Sequence, residues 1–319
     1  MNILVTGCAG FIGSSVCEQL LVDEKNFIIG IDNFDNYYPR YIKEKNIESF
    51  INKSNFTIYE NSICDIKSLK NIFNSHKIDL VIHLAAKAGV RNSFVFPNEY
   101  KMVNVDGTLN ILECMKEFGV KKMIFASSSS VYGNYPDVPF KEEYKNLKQI
   151  SPYAKTKKDS EEIIEKYTKN TDISAICLRF FTVYGKRQRP DLAICKFVNS
   201  IINNQTIELY GDGNTQRDYT YIDDIVSGII LAAKYNKTKF EVINLGSSSP
   251  VKLIDMVNSI ENILNKKANI KYVPAKEGDV VITFADITKA RRLLNYEPQT
   301  SFYDGLSKFI KYFLETGEK

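Results

Sequence analysis

Short apolar runs rich in β-branched residues alternate with longer amphipathic stretches along the first 180 residues of this 319-residue chain. Each apolar run fits a strand that is buried on both faces of a parallel sheet. These runs are residues 3–6, 27–31, 56–59, 80–84, 123–126 and 175–178. The stretches between them have apolar residues at helical spacing, at residues 12–21, 66–74, 102–118 and 154–167. The alternation predicts an α/β fold with a doubly wound parallel sheet.

The pattern changes after residue 180. Pro190, the turn-rich segments 211–214 and 247–250, and Pro274 interrupt shorter elements. We therefore predict two domains, a main one at residues 1–180 and a smaller C-terminal lobe at residues 181–319. Helical patterns at residues 222–233 and 252–264 could return to the main sheet, so the division need not be a single cut.

Composition excludes several classes of protein. Apolar residues make up 44% of the chain and charged residues 25%, with a net charge of +4, as in an average globular domain. There is no apolar run of about 18 residues that would span a membrane, and the N-terminus does not resemble a signal peptide, so we expect a cytoplasmic protein without a membrane partner. The positive charge is dispersed, which argues against nucleic acid.

Cysteine and histidine give no sign of a metal site. The 6 cysteines include no C-x-x-C pair, and the 2 histidines do not form an H-E-x-x-H motif. We expect reduced cysteines and no metal.

A glycine-rich loop follows the first predicted strand and opens the first predicted helix. It reads Gly7-Cys8-Ala9-Gly10-Phe11-Ile12-Gly13. A helix N-terminus favours anions, and glycines let the backbone approach a pyrophosphate. Asp32 ends the second predicted strand, where an aspartate binds a ribose 2′-hydroxyl and repels a 2′-phosphate. Since Asn33 rather than arginine follows, the sequence predicts a Rossmann-type site for NAD rather than NADP.

A second motif follows the fifth predicted strand, which ends in a run of serines at 127–130. Tyr153 and Lys157 then lie four residues apart, on one face of a predicted helix. The ammonium of Lys157 would favour the phenolate of Tyr153, whose ordinary pKa of about 10 is too high for a base at neutral pH.

Taken together, the chain resembles the nucleotide-sugar epimerases and dehydratases of the extended short-chain dehydrogenase/reductase superfamily. The matching stretches are T-G-C-A-G-F-I-G, H-L-A-A-K-A-G-V-R, S-S-S-S-V-Y-G, S-P-Y-A-K-T-K-K, R-F-F-T-V-Y-G-K-R-Q-R-P-D, G-D-G-N-T-Q-R-D-Y-T-Y-I-D-D and E-G-D-V-V-I-T-F-A-D. The resemblance implies that Ser128 acts with Tyr153 and Lys157 in catalysis. It also implies that further residues surround the cofactor, namely Asp65, Ile66, Leu84, Ala85, Ala86, Lys87 and Asn104.

The resemblance also narrows the choice among the reactions that this superfamily catalyses. Sugar dehydratases of this superfamily have Asp-Glu where this chain has Ser129 and Ser130, and related decarboxylases have glutamate at the second position. Epimerisation therefore remains, with Tyr153 as the base for the sugar 4-hydroxyl while hydride moves to NAD and returns to the other face.

Residues 179–191 are most similar to those of UDP-glucuronate 4-epimerases. The resemblance implies that Thr182 and Arg189 hold the sugar carboxylate and that Arg217 holds the UDP phosphates, and a guanidinium can pair bidentately with a carboxylate. The full set of expected substrate residues is Val90, Arg91, Ser128, Ser129, Thr182, Arg189, Arg217 and Asp279. Thr283 occupies a position where a larger residue closes the pocket in some hexose epimerases. Two departures are Lys276, where many relatives have arginine, and Cys195, where close relatives often have histidine.

Several alternatives remain open at this stage. The substrate could be UDP-glucose/UDP-galactose or a UDP-N-acetylhexosamine instead of UDP-glucuronate. The chain could also be a non-catalytic NAD-binding regulatory protein, or an oxidoreductase with net turnover. The resemblance further implies a homodimer formed through residues 102–118 and 154–167, and a place in carbohydrate metabolism.

Overall fold

The computed structural model describes residues 1–274 and 280–317. Its strands are β1 (Asn2–Thr6), β2 (Phe27–Asp32), β3 (Phe56–Glu60), β4 (Leu80–His83), β5 (Lys122–Ser128), β6 (Ser174–Phe180), β7 (Thr182–Tyr184), β8 (Thr206–Tyr210), β9 (Gln216–Tyr221), β10 (Phe240–Leu245), β11 (Pro250–Lys252) and β12 (Asn269–Val273).

The helices alternate with these strands along most of the chain. They are α1 (Phe11–Leu20), α2 (Arg40–Ile47), α3 (Ile66–Ser75), α4 (Val90–Val95), α5 (Pro97–Lys101), α6 (Gly107–Glu117), α7 (Pro152–Asn170), α8 (Ala193–Ile202), α9 (Ile222–Lys234), α10 (Leu253–Leu264), α11 (Thr288–Leu294) and α12 (Phe302–Thr316). A π-helical segment, Met102–Asp106, leads into α6, and a 3-10 turn, Ser129–Tyr132, follows β5.

Seven strands form one parallel sheet in the order β3-β2-β1-β4-β5-β6-β10. Alternate residues of β1 point to opposite faces, where helices cover both. Ile3 belongs to the apolar cluster that includes Val16 of α1 and Ile225 of α9. Leu4 belongs to the cluster that includes Ile111 of α6. The predicted doubly wound α/β fold is confirmed.

The chain after residue 180 builds two smaller sheets and also returns to the large one. β7, β9 and β11 form a three-stranded sheet, and β8 pairs with β12. β10 pairs in parallel with β6, so the main sheet takes a strand from beyond the predicted boundary. The division into two domains at residue 180 stays a prediction. The return of β10 means that the two parts of the chain share the main sheet.

No helix in the described part of the chain is long and apolar enough to cross a membrane. Within residues 1–274 and 280–317, no group of three or more His, Cys, Asp or Glu side chains is placed to hold a metal ion.

Candidate active site

A cleft opens at the carboxyl ends of β1 and β4, where the order of strands reverses. Ligands of doubly wound sheets bind at such a switch point. The residues that the sequence predicted for the cofactor and that line this cleft are Gly7, Gly10, Phe11, Ile12, Gly13, Asp32, Asn33, Leu84, Ala85, Ala86, Lys87, Tyr153 and Lys157.

The glycine loop is packed so closely that side chains are excluded at two of its positions. Gly7 has a φ of +72°, and a Cβ there would lie 3.0 Å from the Cα of Ala85. A Cβ on Gly13 would lie 2.0 Å from the carbonyl oxygen of Gly7. Helix α1 begins at Phe11 directly after the loop, and no side chain caps its N-terminus. The free N–H groups and the helix dipole therefore suit a pyrophosphate.

The carboxylate of Asp32 lies at the end of β2 and is held by three donors. Oδ2 accepts from the N–H of Ala9 at 3.1 Å, and Oδ1 accepts from the N–H of Phe34 at 2.8 Å and from Nζ of Lys43 at 3.1 Å. Lys43 also lines the cleft and is buried. Sequence reasoning missed this lysine, because it lies on α2 and reaches Asp32 only through the tertiary fold.

The segment after β4 forms another wall of the cleft. Oγ1 of Thr6 accepts from the N–H groups of Leu84 and Ala85, at 3.2 and 3.1 Å. Lys87 forms an ion pair with Glu99 at 2.6 Å. Asn104 does not line the cleft; its side chain accepts from the N–H of Lys87 and donates to the carbonyl of Lys87, at 2.8 and 3.0 Å. Asn104 thus positions the wall from behind.

The structure does not bring Asp65 and Ile66 into the cleft. Oδ1 of Asp65 accepts from the N–H groups of Lys67 and Ser68, so Asp65 is the N-cap of α3. The residues that line the cleft at this place are Asn61, Ser62 and Ile63. The sequence held a signal for this arrangement, since aspartate directly before an amphipathic run is typical of a helix N-cap.

Tyr153 lies at the first turn of α7, which Ser151 caps by accepting from the N–H of Ala154 at 3.1 Å. The ring of Tyr100 meets the ring of Tyr153 edge-on, with centroids 6.3 Å apart. Ser128 ends β5, and its Oγ donates to Oγ of Ser130 at 3.1 Å and accepts from the N–H of Ser130 at 3.2 Å. Ser128 also lowers the pKa of Tyr153, so the two side chains lie near each other, and their joint role in catalysis stays a prediction.

The predicted action of Lys157 on Tyr153 stays a prediction, and the structure gives the Lys157 ammonium another partner. Nζ of Lys157 donates to the carbonyl of Ala126 at 2.7 Å. Burial raises the pKa of Tyr153, whereas the neighbouring Ser128 hydroxyl and the charge of Arg189 both lower it. Burial also lowers the pKa of Lys157 to about 8, although the nearby carboxylate of Glu161 opposes this change. Among the groups that act on Tyr153, Arg189 supplies the charge that favours the phenolate.

A second cavity, of about 1160 Å³, adjoins the cleft. Tyr37 and Arg189 line both spaces. Of the predicted substrate residues, Val90, Arg91, Arg189 and Arg217 line this second cavity. Lys196 on α8 and Lys271 on β12, which the sequence analysis did not select, line it as well. The lining is rich in cations and suits an anionic ligand.

Arg189 is held in place by two neighbours. Its Nε and Nη2 donate to the two carboxylate oxygens of Asp191 at 2.8 and 3.0 Å. The hydroxyl of Tyr37 donates to Asp191 at 3.2 Å, and the guanidinium carbon lies 5.2 Å from the centroid of the Tyr37 ring. The predicted carboxylate-binding arginine therefore already has a carboxylate partner within the chain.

Other predicted residues lie outside the lining of both spaces. Ser128 ends β5, Ser129 begins the 3-10 turn after it, and Thr182 begins β7. Oγ1 of Thr283 accepts from the N–H of Asp218 at 3.1 Å, so this residue is buried behind the cavity. Cys195 is buried in α8. Lys276 and Asp279 fall outside the described residues.

The sequence profile of one protein family, GDP-mannose 4,6 dehydratase, matches residues 4–309. The UDP-glucuronate 4-epimerase of Thermodesulfobacterium geofontis is 41% identical over 317 residues, which cover 99% of this chain and 97% of the relative.

Two solved structures are similar over nearly their whole length. The Bacillus cereus UDP-glucuronic acid 4-epimerase in complex with UDP-glucuronic acid and NAD is 36% identical, with a TM-score of 0.93 and coverage of 99% of this chain and 100% of that one. The Thermotoga maritima UDP-glucose 4-epimerase with UDP-glucose is 33% identical, with a TM-score of 0.91 and full coverage of both, at 100%. This chain therefore belongs to the GDP-mannose 4,6 dehydratase family of extended short-chain dehydrogenases/reductases.

Proposed function

We propose that this protein is an NAD-dependent UDP-sugar 4-epimerase whose preferred substrate pair is UDP-glucuronate and UDP-galacturonate. The observation that carries the proposal is the place of Tyr153. It lines the cleft beside the glycine loop, and its pKa, which burial raises, is lowered by Ser128 and by the charge of Arg189, which lines both the cleft and the adjoining cavity.

The cleft fits NAD. The backbone N–H groups after Gly10 would hold the pyrophosphate, because the packing at Gly7 and Gly13 keeps side chains away from the loop. Asp32 would accept from a ribose hydroxyl. When bound, NAD supplies a reversible hydride acceptor, so that no net oxidation of the sugar is needed. The similar Bacillus cereus epimerase was solved with NAD.

Tyr153 is the proposed base for the sugar 4-hydroxyl. Its phenolate would take the hydroxyl proton as the C4–H bond breaks. It would return that proton after the 4-keto sugar has rotated to present its other face. Ser128 would hydrogen-bond the reacting oxygen during both half-reactions. Microscopic reversibility requires the same residue to serve as base and then as acid.

The 3-10 turn after Ser128 supports epimerisation over dehydration, although the family is named for a dehydratase. Water elimination needs an acid and a base beside the sugar ring. By resemblance these would occupy positions 129 and 130, and the chain has two serines there, Ser129 and Ser130. A serine hydroxyl does not ionise at neutral pH and supplies neither function.

The second cavity supports a nucleotide sugar as substrate. A diphosphate needs cations whichever sugar it carries, and Arg91, Arg217, Lys196 and Lys271 all line this space. Arg189 supports an acidic sugar. Asp191 occupies its Nε and one N–H of Nη2, and Nη1 has no hydrogen-bond partner among the described residues. The remaining N–H groups would bind the sugar carboxylate.

UDP-glucose/UDP-galactose is the second candidate, and one observation favours it. Asp191 neutralises Arg189, so the cluster at the junction of the two spaces does not demand an anionic sugar. The similar Thermotoga maritima epimerase was solved with UDP-glucose.

We also propose a homodimer and a cytoplasmic location. The predicted dimer segments include exposed apolar side chains, with Met102 exposed by 48% and Leu109 by 36%. Phe94 and Phe96 are exposed nearby, by 54% and 49%. An apolar patch of this kind fits a second copy of the chain.

The experiment is to incubate the purified protein separately with UDP-glucuronate, UDP-glucose and UDP-N-acetylglucosamine, without added NAD, and to resolve the 4-epimers by chromatography. Conversion of UDP-glucuronate supports both the reaction and the substrate. Conversion of only a neutral sugar keeps the reaction and overturns the substrate. A protein that retains NAD but converts no UDP-sugar would be a binding protein, and NADH that accumulates with product would indicate net oxidation.

A further inference from the structure

Glu161 is a buried carboxylate at the centre of the catalytic helix α7. It lies one turn after Lys157 and two turns after Tyr153, and its side chain is 2% exposed. Arg179 on β6 binds it bidentately, with Nε 2.9 Å from Oε1 and Nη2 2.8 Å from Oε2. The pair attaches α7 to the sheet.

A second contact of Glu161 leads directly to the reacting groups. Oγ of Ser127 donates to Oε1 of Glu161 at 2.6 Å. Ser127 is the residue before Ser128 on β5. Nζ of Lys157 donates to the carbonyl of Ala126 at 2.7 Å. Two side chains that are one turn apart on α7 thus hold two consecutive residues of β5, just before Ser128.

We propose that Glu161 is a positioning residue for the reaction, which together with Ser127 fixes α7 against the end of β5 and so holds Tyr153 of α7 in place beside Ser128 of β5. This inference rests on the proposed function only in that Tyr153 must be the base; it holds for any UDP-sugar. Glu161 does not line the cleft or the cavity, so it acts through its neighbours.

The chemistry of the cluster fits positioning better than stability. A buried ion pair contributes little net stability, because desolvation offsets the attraction between the charges. Nη1 of Arg179 is buried and, among the described residues, has no hydrogen-bond partner. Apolar side chains would satisfy packing here without that cost. The Glu161 carboxylate therefore does what apolar residues could not do: it accepts hydrogen bonds from Ser127 and Arg179 at the same time.

The charge of Glu161 also bears on Lys157. Burial lowers the pKa of Lys157 to about 8, and Glu161 opposes that change. The titratable groups around this pair are His83 on β4, Lys158 on α7, and Cys177 and Arg179 on β6. Glu161 is the carboxylate that acts on Lys157, and Glu165 on α7 acts on Cys177. Glu161 therefore helps to keep Lys157 protonated at neutral pH.

Ser127→Ala is the mild test, because it removes one donor to Glu161 and leaves the pair with Arg179 intact. We expect kcat to fall about 10-fold, with KM within about 2-fold and the content of copurified NAD unchanged. Ser160→Ala is the matched control. Ser160 is a buried serine on α7 that donates to the carbonyls of Asn104 and Thr156 and not to β5. An unchanged kcat in Ser127→Ala, or an equal fall in both variants, overturns the positioning role.

Glu161→Gln tests the charge. We expect the basic limb of the kcat profile against pH to move to lower pH, since the predicted catalytic role of Lys157 needs its protonated form, which the Glu161 carboxylate favours. The double variant Glu161→Gln/Arg179→Met avoids an unpaired buried guanidinium and should move the limb in the same direction. If the basic limb of the kcat profile lies at the wild-type pH in both variants, the inference is overturned. A wild-type protein that converts no UDP-sugar refutes the proposed function, whereas an active wild type with unaltered variants refutes only the role of Glu161.

Discussion

The guanidinium of Arg189 lies bidentate on the carboxylate of Asp191, with donor–acceptor distances of 2.8 and 3.0 Å. Tyr37 fixes the pair from the cofactor side by a hydrogen bond to Asp191. A substrate carboxylate would therefore meet an arginine that is already oriented and largely desolvated. Preorganisation of this kind lowers the cost of binding, because the arginine side chain loses no further rotamer freedom.

Arg189→Ala should separate acidic from neutral sugars. We expect kcat/KM for UDP-glucuronate to fall 10- to 100-fold, since a charge-assisted hydrogen bond contributes about 1.5–3 kcal/mol. The value for UDP-glucose should fall by a smaller factor, because that sugar loses only the Arg189 charge that lowers the pKa of Tyr153 and not a carboxylate contact. Steady-state kinetics with both sugars measures the difference. Arg291→Ala is the control. Arg291 is an exposed arginine that pairs with Glu297 and lines neither the cleft nor the cavity. Equal losses on both sugars would make Arg189 a diphosphate or structural residue.

Tyr153→Phe should abolish epimerisation and leave NAD bound. The variant removes the hydroxyl of the proposed base but leaves the packing of the glycine loop unchanged. A general base contributes about 10²- to 10⁴-fold to the rate, so turnover should fall by at least that factor. Chromatography of the epimers and the NAD released on denaturation are the two measurements. Turnover near the wild-type rate would contradict the assignment of Tyr153.

The sequence alone predicted those elements that have a recognisable local pattern of residues. Buried parallel strands are apolar throughout, so β1 and β4 stand out as runs. The glycine loop was recognisable because side chains cannot fit at Gly7 and Gly13. Asp65 and Ile66 show a different case, because the resemblance implied a cofactor contact there, whereas in the structure Asp65 is the N-cap of α3 and neither residue lines the cleft.

Contacts between distant segments could not be predicted in the same way. The pairing of Lys43 with Asp32 and of Arg189 with Asp191 depends on side-chain directions that only the folded chain sets. The same holds for Lys157, whose spacing from Tyr153 was correct but whose ammonium donates to Ala126.

Asp32→Asn should relax the preference for NAD over NADP. Asp32 would repel a 2′-phosphate, and Nζ of Lys43 lies 3.1 Å from its carboxylate. Without that negative charge, Lys43 becomes available to pair with the phosphate. We expect the ratio of NADP to NAD affinity to rise at least 10-fold, measured by titration of protein stripped of dinucleotide.

The double variant Asp32→Asn/Lys43→Met controls for the lysine. It should lose most of the gain for NADP while the weakened NAD binding persists. If the single and double variants bind NADP equally well, Lys43 has no part in the discrimination.

His83 should make the fold sensitive to acid. Its ring is buried between the hydroxyls of Thr6 and Thr108, with nitrogen–oxygen distances of 2.7 and 3.0 Å. Burial lowers the pKa of His83 to about 3. The unfolded chain therefore takes up a proton below about pH 6.5 that the folded chain does not, and stability is lost as the pH falls from there towards 3. At pH 5 the loss from this group is about 2 kcal/mol.

His83→Gln removes that titration, so its melting temperature should fall less between pH 7.5 and pH 5 than that of the wild type, whatever its starting value. Thermal unfolding at the two pH values, followed by circular dichroism, measures the difference. His76→Gln is the matched control, because it leaves His83 in place and should keep the wild-type loss. If His83→Gln loses as much as the wild type over this interval, other groups must account for the acid sensitivity.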